Sequence, residues 1–238
     1  MLLGDVVLTA IARVWQHRER IEWQAAAQFD RLAGELEAVR ADPTVVGLAR
    51  QAADDERVHA ALCRKLVDQL DPRQKVGEMG RGGEGERMGA RAPLGPPDLT
   101  RPERALYAAV AVSCVTETLS AALLLQIHRA AKDELVKSVV HHILKDEIDH
   151  SKLGWAHLAS ESRRTSVSWL APHISGMIRD AVTTDLAPMS GPQADTAAFG
   201  VLGRREVGAI VDTTLSRVVF PGLARFGIHP RPASTPVA

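Results

Sequence analysis

The chain has 238 residues, and its 29 basic side chains are matched by 29 acidic ones, so the formal net charge is zero. That length suits one well-packed domain rather than two large ones, and the charge balance gives no reason to expect nucleic acid or a membrane surface as a partner. Aromatic residues make up only 4% of the chain, which also argues against a base-stacking platform. Alanine, leucine, arginine and glutamate are abundant and β-branched residues rarely alternate with polar ones, so the expected class is all-α.

In chain order, residues 5–40 carry apolar side chains at helical spacing, among them Val7, Ile11, Val14, Trp15, Phe29, Leu32 and Leu36. Asp42-Pro43-Thr44 is a turn, and a second helix is expected over 44–70, stopped by Asp71-Pro72. Gly77–Pro97 is rich in glycine, proline and arginine and lacks an apolar face, so it is expected to be an irregular crossover between two helix pairs. A third helix is expected from Pro102 to about Ala131 and a fourth over 133–160. Two more helices are expected over 162–187 and 204–226, with a frayed tail from Pro230. The expected architecture is a four-helix bundle over 1–160, with a long crossover, and a helical extension over 161–238 packed on it.

The chemistry lies in two E-x-x-H pairs, Glu56–His59 in the second helix and Glu147–His150 in the fourth. Residues three apart on a helix differ by about 60° in direction, so each pair shares a face. One such pair would be unremarkable by chance in a chain of this composition. Each pair, however, follows a helix with a glutamate among apolar or small neighbours, Glu22 in IEWQAA and Glu117 in VTETL. Helix with Glu, then helix with E-x-x-H, is one chemical unit present twice, the pattern of di-iron and di-manganese helical bundles.

Glu117 is the sharpest clue, because it is the only carboxylate in the apolar run 105–127. A lone buried carboxylate costs several kcal/mol and needs a cation, a proton or a strong hydrogen-bond partner. Carboxylates and imidazoles together suit iron or manganese better than copper(I) or thiolate-held zinc. A membrane span over 105–127 is disfavoured, since Glu117 would sit near the bilayer centre. Glu19 competes with Glu22 for the first-helix ligand position, but the run His17-Arg18-Glu19-Arg20 reads as a solvated face. Asp54, Asp55, Asp146 and Asp149 adjoin the motifs on other faces and are expected to be supporting or surface groups. His128, His141, His142 and His157 read as core or surface histidines.

On these residues the sequence resembles the ferritin-like di-iron carboxylate superfamily, whose E…ExxH…E…ExxH pattern it matches at Glu22, Glu56, His59, Glu117, Glu147 and His150. The runs EWQAAAQFDRLAGEL, ADDERVHAALC, VTETLSAALL and DEIDHSKLGWAHLA look like ferritin-like domain proteins, over about residues 10–160. The resemblance implies a bridging role for Glu56 and Glu147. It implies that Glu22 with His59 completes one metal and Glu117 with His150 the other. It also implies two iron ions (manganese as the alternative), dioxygen as co-substrate and an external electron donor.

Position 63, seven after Glu56, is cysteine, where ribonucleotide reductase small subunits carry a radical tyrosine; rubrerythrin's cysteine-rich iron module is also missing. A ferritin cage would have to accommodate the extra C-terminal residues. Distant likeness extends to aldehyde deformylating oxygenases and tRNA hydroxylases, although fold does not transmit substrate. The leading expectation is a di-iron oxygenase or other oxidoreductase acting on a small-molecule or lipid-like substrate. Ferroxidase, peroxide-scavenging or manganese catalase activity is the alternative, and a metal-free helical scaffold the third. Cys63 and Cys114 read as small buried hydrophobes. No secretion signal is read at the amino terminus, so a reducing cytoplasm is expected; a homodimer is compatible with an exposed helical surface.

Overall fold

The computed structural model describes residues 5–71, 94–191 and 194–230, and within them the protein is all-helical. The crossover expected at Gly77–Pro97 lies mostly outside the described residues, as does the tail beyond Pro230. Four long helices form the bundle: α1 (Asp5–Ala38), α2 (Pro43–Leu70), α3 (Arg101–Ala130) and α4 (Glu134–Ser162).

Local chemistry sets their ends. The Asp42 side chain accepts from the Thr44 amide, and Pro43 supplies a first-turn residue whose missing N–H is no loss. Thr100 and Glu103 form a reciprocal capping box at the start of α3, and Asp133 caps α4 through the Val136 amide.

The buried stripe of α1 runs Ile11, Trp15, Arg18, Glu22, Ala26, Phe29, Ala33 and Leu36, a continuous helical face that changes from apolar to charged and back. On α2 the order is reversed in space: Ala49, Ala52 and Ala53 precede Glu56 and His59, and Cys63, Leu66 and Val67 follow. Phe29, Leu32 and Leu36 of α1 pack with Ala49 and Ala53 of α2 in one apolar cluster. Ile11 and Trp15 join Cys63, Leu66 and Val67 in another. The charged residues lie between the two.

α3 departs from a regular helix. Val110–Glu117 is π-helical, flanked by α-helical Arg101–Ala109 and Thr118–Ala130. A π segment rotates the residues that follow it relative to a continuous α-helix and is common at functional sites; here it ends on Glu117. The α4 backbone comes close to this segment at Gly154, where a Cβ would lie 2.6 Å from the Ala109 carbonyl oxygen and 2.7 Å from Ser113 Cβ.

After α4, the first of the two expected helices is broken into short pieces, while the second forms over Arg204–Ala224. Over 162–187, α4 ends at Ser162, and a bend leads to a 3-10 turn (Ser168–His173) interrupted by Pro172. α5 (Ile174–Asp180) then passes into a π turn, Ala181–Leu186. Proline at 172 removes an amide donor and breaks the register, which periodicity alone does not show. After a 3-10 turn at Ala194–Phe199 comes α6 (Arg204–Ala224), whose residues Leu215–Val219 are also π-helical.

This C-terminal part shares the core of the bundle: Leu170, Ile174, Val207, Val211 and Leu223 belong to the same apolar cluster as Trp15 and Leu119. Trp15 Nε1 donates to the Phe199 carbonyl at 3.0 Å. Gly200, at φ +82°, lies where a Cβ would be 2.6 Å from the Trp15 ring, so both its conformation and its contact require glycine. α3 and α6 are long and apolar enough to cross a membrane, but α3 is mostly buried within the protein and carries Glu117.

Gly154→Ala should lower stability by about 1–3 kcal/mol, because the added methyl meets backbone and packed side chains. Gly208→Ala, at an α6 position with open space around it, should instead stabilise by about 0.5–1 kcal/mol through helix propensity. Chemical denaturation of the two variants against the parent checks the opposite signs.

Candidate metal centre

All six sequence-selected residues are buried, and the structure brings them together midway along the bundle. Glu22, Glu56, Glu117 and Glu147 are each at most 4% exposed, as are His59 and His150. Their ligand atoms form two overlapping sets, Glu22–Glu56–His59–Glu147 and Glu56–Glu117–Glu147–His150; within each set the atoms lie within 4.8 Å of one another. Glu56 and Glu147 are common to both.

The histidines are held from both sides. His59 Nδ1 lies 3.2 Å from Glu56 Oε2, while its Nε2 lies 3.2 Å from Asp146 Oδ2. His150 mirrors this arrangement: Nδ1 is 3.0 Å from Glu56 Oε1 and 3.5 Å from Glu147 Oε2, and Nε2 is 3.3 Å from Asp55 Oδ2. Each Asp-Glu-x-x-His run thus lends its aspartate to the histidine of the other run. An aspartate accepting from Nε2–H leaves Nδ1 as the inward-facing ligand atom. Asp54 and Asp149 lie at the surface, against Arg57 and Lys152 respectively.

Among the described residues, Glu56 Oε1, Glu147 Oε2 and His150 Nδ1 are buried atoms without a well-formed hydrogen bond, although they lie close to one another. Buried polar atoms are almost always satisfied. Other buried atoms also lack a bond, but these three lie close together in a donor set of carboxylates and imidazoles, which suits a divalent cation.

Electrostatics divides the four carboxyls into two pairs. Burial raises all of them, but the close approach of the His150 and His59 imidazoles outweighs it at Glu56, which falls well below the usual carboxylate range. At Glu147, burial and the Glu56 charge are outweighed by the neighbouring His150 and Glu117, and the shift is downward. Glu117 is pushed well up by burial, by the Glu147 charge and by its hydrogen bond with Glu147. Glu22 is also raised by burial, with Arg18 opposing. Burial would lower both histidines, but their glutamate partners raise His59 to about 9 and His150 to about 11.

The solvated face expected at 17–20 is corrected at two positions: Arg18 is 3% and Glu19 9% exposed. Arg18 Nε donates to Glu22 Oε1 at 2.7 Å, and Nη2 reaches Ser120 Oγ at 3.2 Å and Glu147 Oε1 at 3.5 Å. Ser120 Oγ itself donates to Glu147 Oε1 at 3.0 Å. Glu19 bonds Arg64 at 3.0 Å and belongs to neither ligand set.

Sequence reasoning missed Arg18 and Ser120. The signal for Arg18 was its place on the Ile11–Trp15–Glu22 stripe. His157 is buried away from both ligand sets, and burial lowers its pKa. His128 and His141 pack on each other with ring centroids 5.4 Å apart. His142 lies 3.8 Å from Asp146. Cys63 and Cys114 are buried free thiols, raised by burial. Comparisons with family models, curated proteins and solved structures return no match for the chain.

Two predictions follow from this geometry. Asp55→Ala and Asp146→Ala should each weaken metal uptake about 10–100-fold by freeing the partner histidine to turn, as read by equilibrium dialysis. In the metal-free protein the histidine–glutamate attraction is complete below about pH 6.5, and it is lost as pH rises through about 9 for His59 and about 11 for His150. The raised pKa values of Glu22 and Glu117 act in the same direction, favouring their protonated forms. Metal-free stability should therefore fall steadily on the alkaline side, as denaturant midpoints measured between pH 6 and 10 would show.

Proposed function

We propose that this chain is a ferritin-like two-metal carboxylate protein, holding two iron ions or, alternatively, two manganese ions, and acting as an oxidoreductase on dioxygen or peroxide. The observation that carries this reading is the pair of buried ligand sets sharing Glu56 and Glu147, with inward-facing atoms that the protein itself leaves unsatisfied. Four carboxylates would balance two divalent ions. Glu22 and His59 would complete one position and Glu117 and His150 the other, with Glu56 and Glu147 between them.

When bound, such an ion pair supplies a redox couple and open positions for a small oxygen species. The chain's part is to orient and to exclude. Asp146 and Asp55 hold the imidazoles with Nδ1 inward, and the apolar clusters on either side keep bulk water away. Burial and the neighbouring Glu147 charge push the Glu117 carboxyl well up, which favours its protonated form when no cation is present.

The space beside the site bears on the substrate. A cavity of about 30 Å³ is lined by Arg18, Glu22, Glu117, Ser120 and Glu147, with Leu186 of the C-terminal π turn at its wall. Most of the residues around this space are polar or charged, whereas pockets for organic ligands are lined mainly by apolar and aromatic side chains. This favours ferroxidase or peroxide-scavenging chemistry over an oxygenase with an organic substrate. A metal-free scaffold would explain neither the unsatisfied ligand atoms nor the aspartate support behind each histidine.

Loading with ferrous iron or manganese(II) should give about two ions per chain by elemental analysis, and less than one overturns the reading. Glu117→Ala should abolish two-metal loading while circular dichroism stays helical. Ferrous iron alone should drive repeated oxygen consumption; consumption only in the presence of an added organic substrate would restore the oxygenase reading.

A further inference from the structure

The two halves of the site are built on one repeated unit, yet they differ in one charge. Arg18 stands four residues before Glu22. One turn before Glu117, along the π segment, stand Ser113 and Val112, four and five residues back, both buried and neutral. The buried guanidinium bonds Glu22 at 2.7 Å and reaches Glu147 at 3.5 Å.

We infer that Arg18 makes the two metal positions unequal, so that the Glu117–His150 position takes a divalent cation first and tightly and the Glu22–His59 position takes the second more weakly. This rests on the two-metal reading of the site.

The physical reason is direct. In the Glu117–His150 set the ion meets carboxylates and an imidazole, and Arg18 touches only the shared Glu147, at 3.5 Å. In the Glu22–His59 set it meets a carboxylate already neutralised by a fixed cation, and the guanidinium repels it as well. Like charges a few ångströms apart in a low-dielectric interior interact by several-fold more than in water, and arginine cannot escape by losing its proton. Ser120, which holds both Arg18 and Glu147, keeps the guanidinium from turning away. The corresponding position three after Glu22 is Ala25, so the second half of the site supplies this hydroxyl to the first without receiving one.

The test is a titration of the full-length metal-free protein with manganese(II), counting free ion by electron paramagnetic resonance. Two binding steps separated by at least about tenfold are expected. At one equivalent of manganese, anomalous X-ray scattering should place the ion beside Glu117 and His150. Glu22→Gln should keep the tight step and Glu117→Gln should lose it. Arg18→Gln should narrow the gap, and Arg18→Lys, which retains the charge, should preserve it. Arg18→Gln leaves two carboxylates uncompensated and is best purified with metal present; the one-equivalent experiment on the parent protein stands without it. Two ions of equal affinity, or first occupancy beside Glu22 and His59, overturn the inference and leave the two-metal reading intact. No uptake at all overturns both.

Discussion

Four glutamates converge at the centre of the bundle, and their mutual repulsion has to be met by positive charge. Unrelieved, a single ionised carboxylate in such a place costs several kcal/mol, and four in contact could not all remain ionised. Arg18 places a fixed cation beside Glu22, and His59 and His150 stand against Glu56, while burial raises the pKa of Glu22 and Glu117 and so favours their neutral forms. The compensation is incomplete in geometry, since His150 Nδ1 approaches two glutamate oxygens without a well-formed bond to either.

The rest of the fold serves that constraint. Apolar clusters on both sides of the charged zone bind the helices together, so the helices do not depend on the site for their cohesion. The π segment of α3 and the close approach at Gly154 bring Glu117 inward against α4. The C-terminal part contributes through Trp15: its indole donates to Phe199, and it packs on Gly200 only one turn before Arg18. A region that looks peripheral in the chain thereby braces the helix that carries the site's cation, and Leu186 from the same region closes one wall of the cavity.

Much of this was legible in the sequence because helical spacing carries both packing and chemistry. The Glu-helix and E-x-x-H-helix unit, written twice, names the residues that the structure gathers. Long-range relations were less visible. Asp55 and Asp146 read as residues on other faces of their own helices, yet each reaches the histidine of the opposite motif. That contact depends on how two helices pack, which neither helix states alone. The Arg18 misreading has a different source. A run of His-Arg-Glu-Arg suggests solvent by composition, while position on the stripe between Trp15 and Glu22 places Arg18 inside. Composition was the weaker guide, because a buried carboxylate cluster attracts the charges that composition rules assign to the surface.

Arg18 also bears on how the proposed metal centre differs from a self-sufficient ion-pair network. A network evolved only for stability does best when every buried charge is paired and every lone pair used, since a partly satisfied cluster is worse than an apolar core. This cluster satisfies Glu22 well, through Arg18, and supports both histidines from behind through Asp146 and Asp55. It leaves Glu56 Oε1, Glu147 Oε2 and His150 Nδ1 facing one another without a proper bond. Two of these atoms belong to the shared glutamates and the third, His150 Nδ1, to the Glu117–His150 set, where no arginine takes the place corresponding to Arg18. Compensation by the protein's own cation is therefore strongest on one side, and the demand for an external cation is strongest on the other.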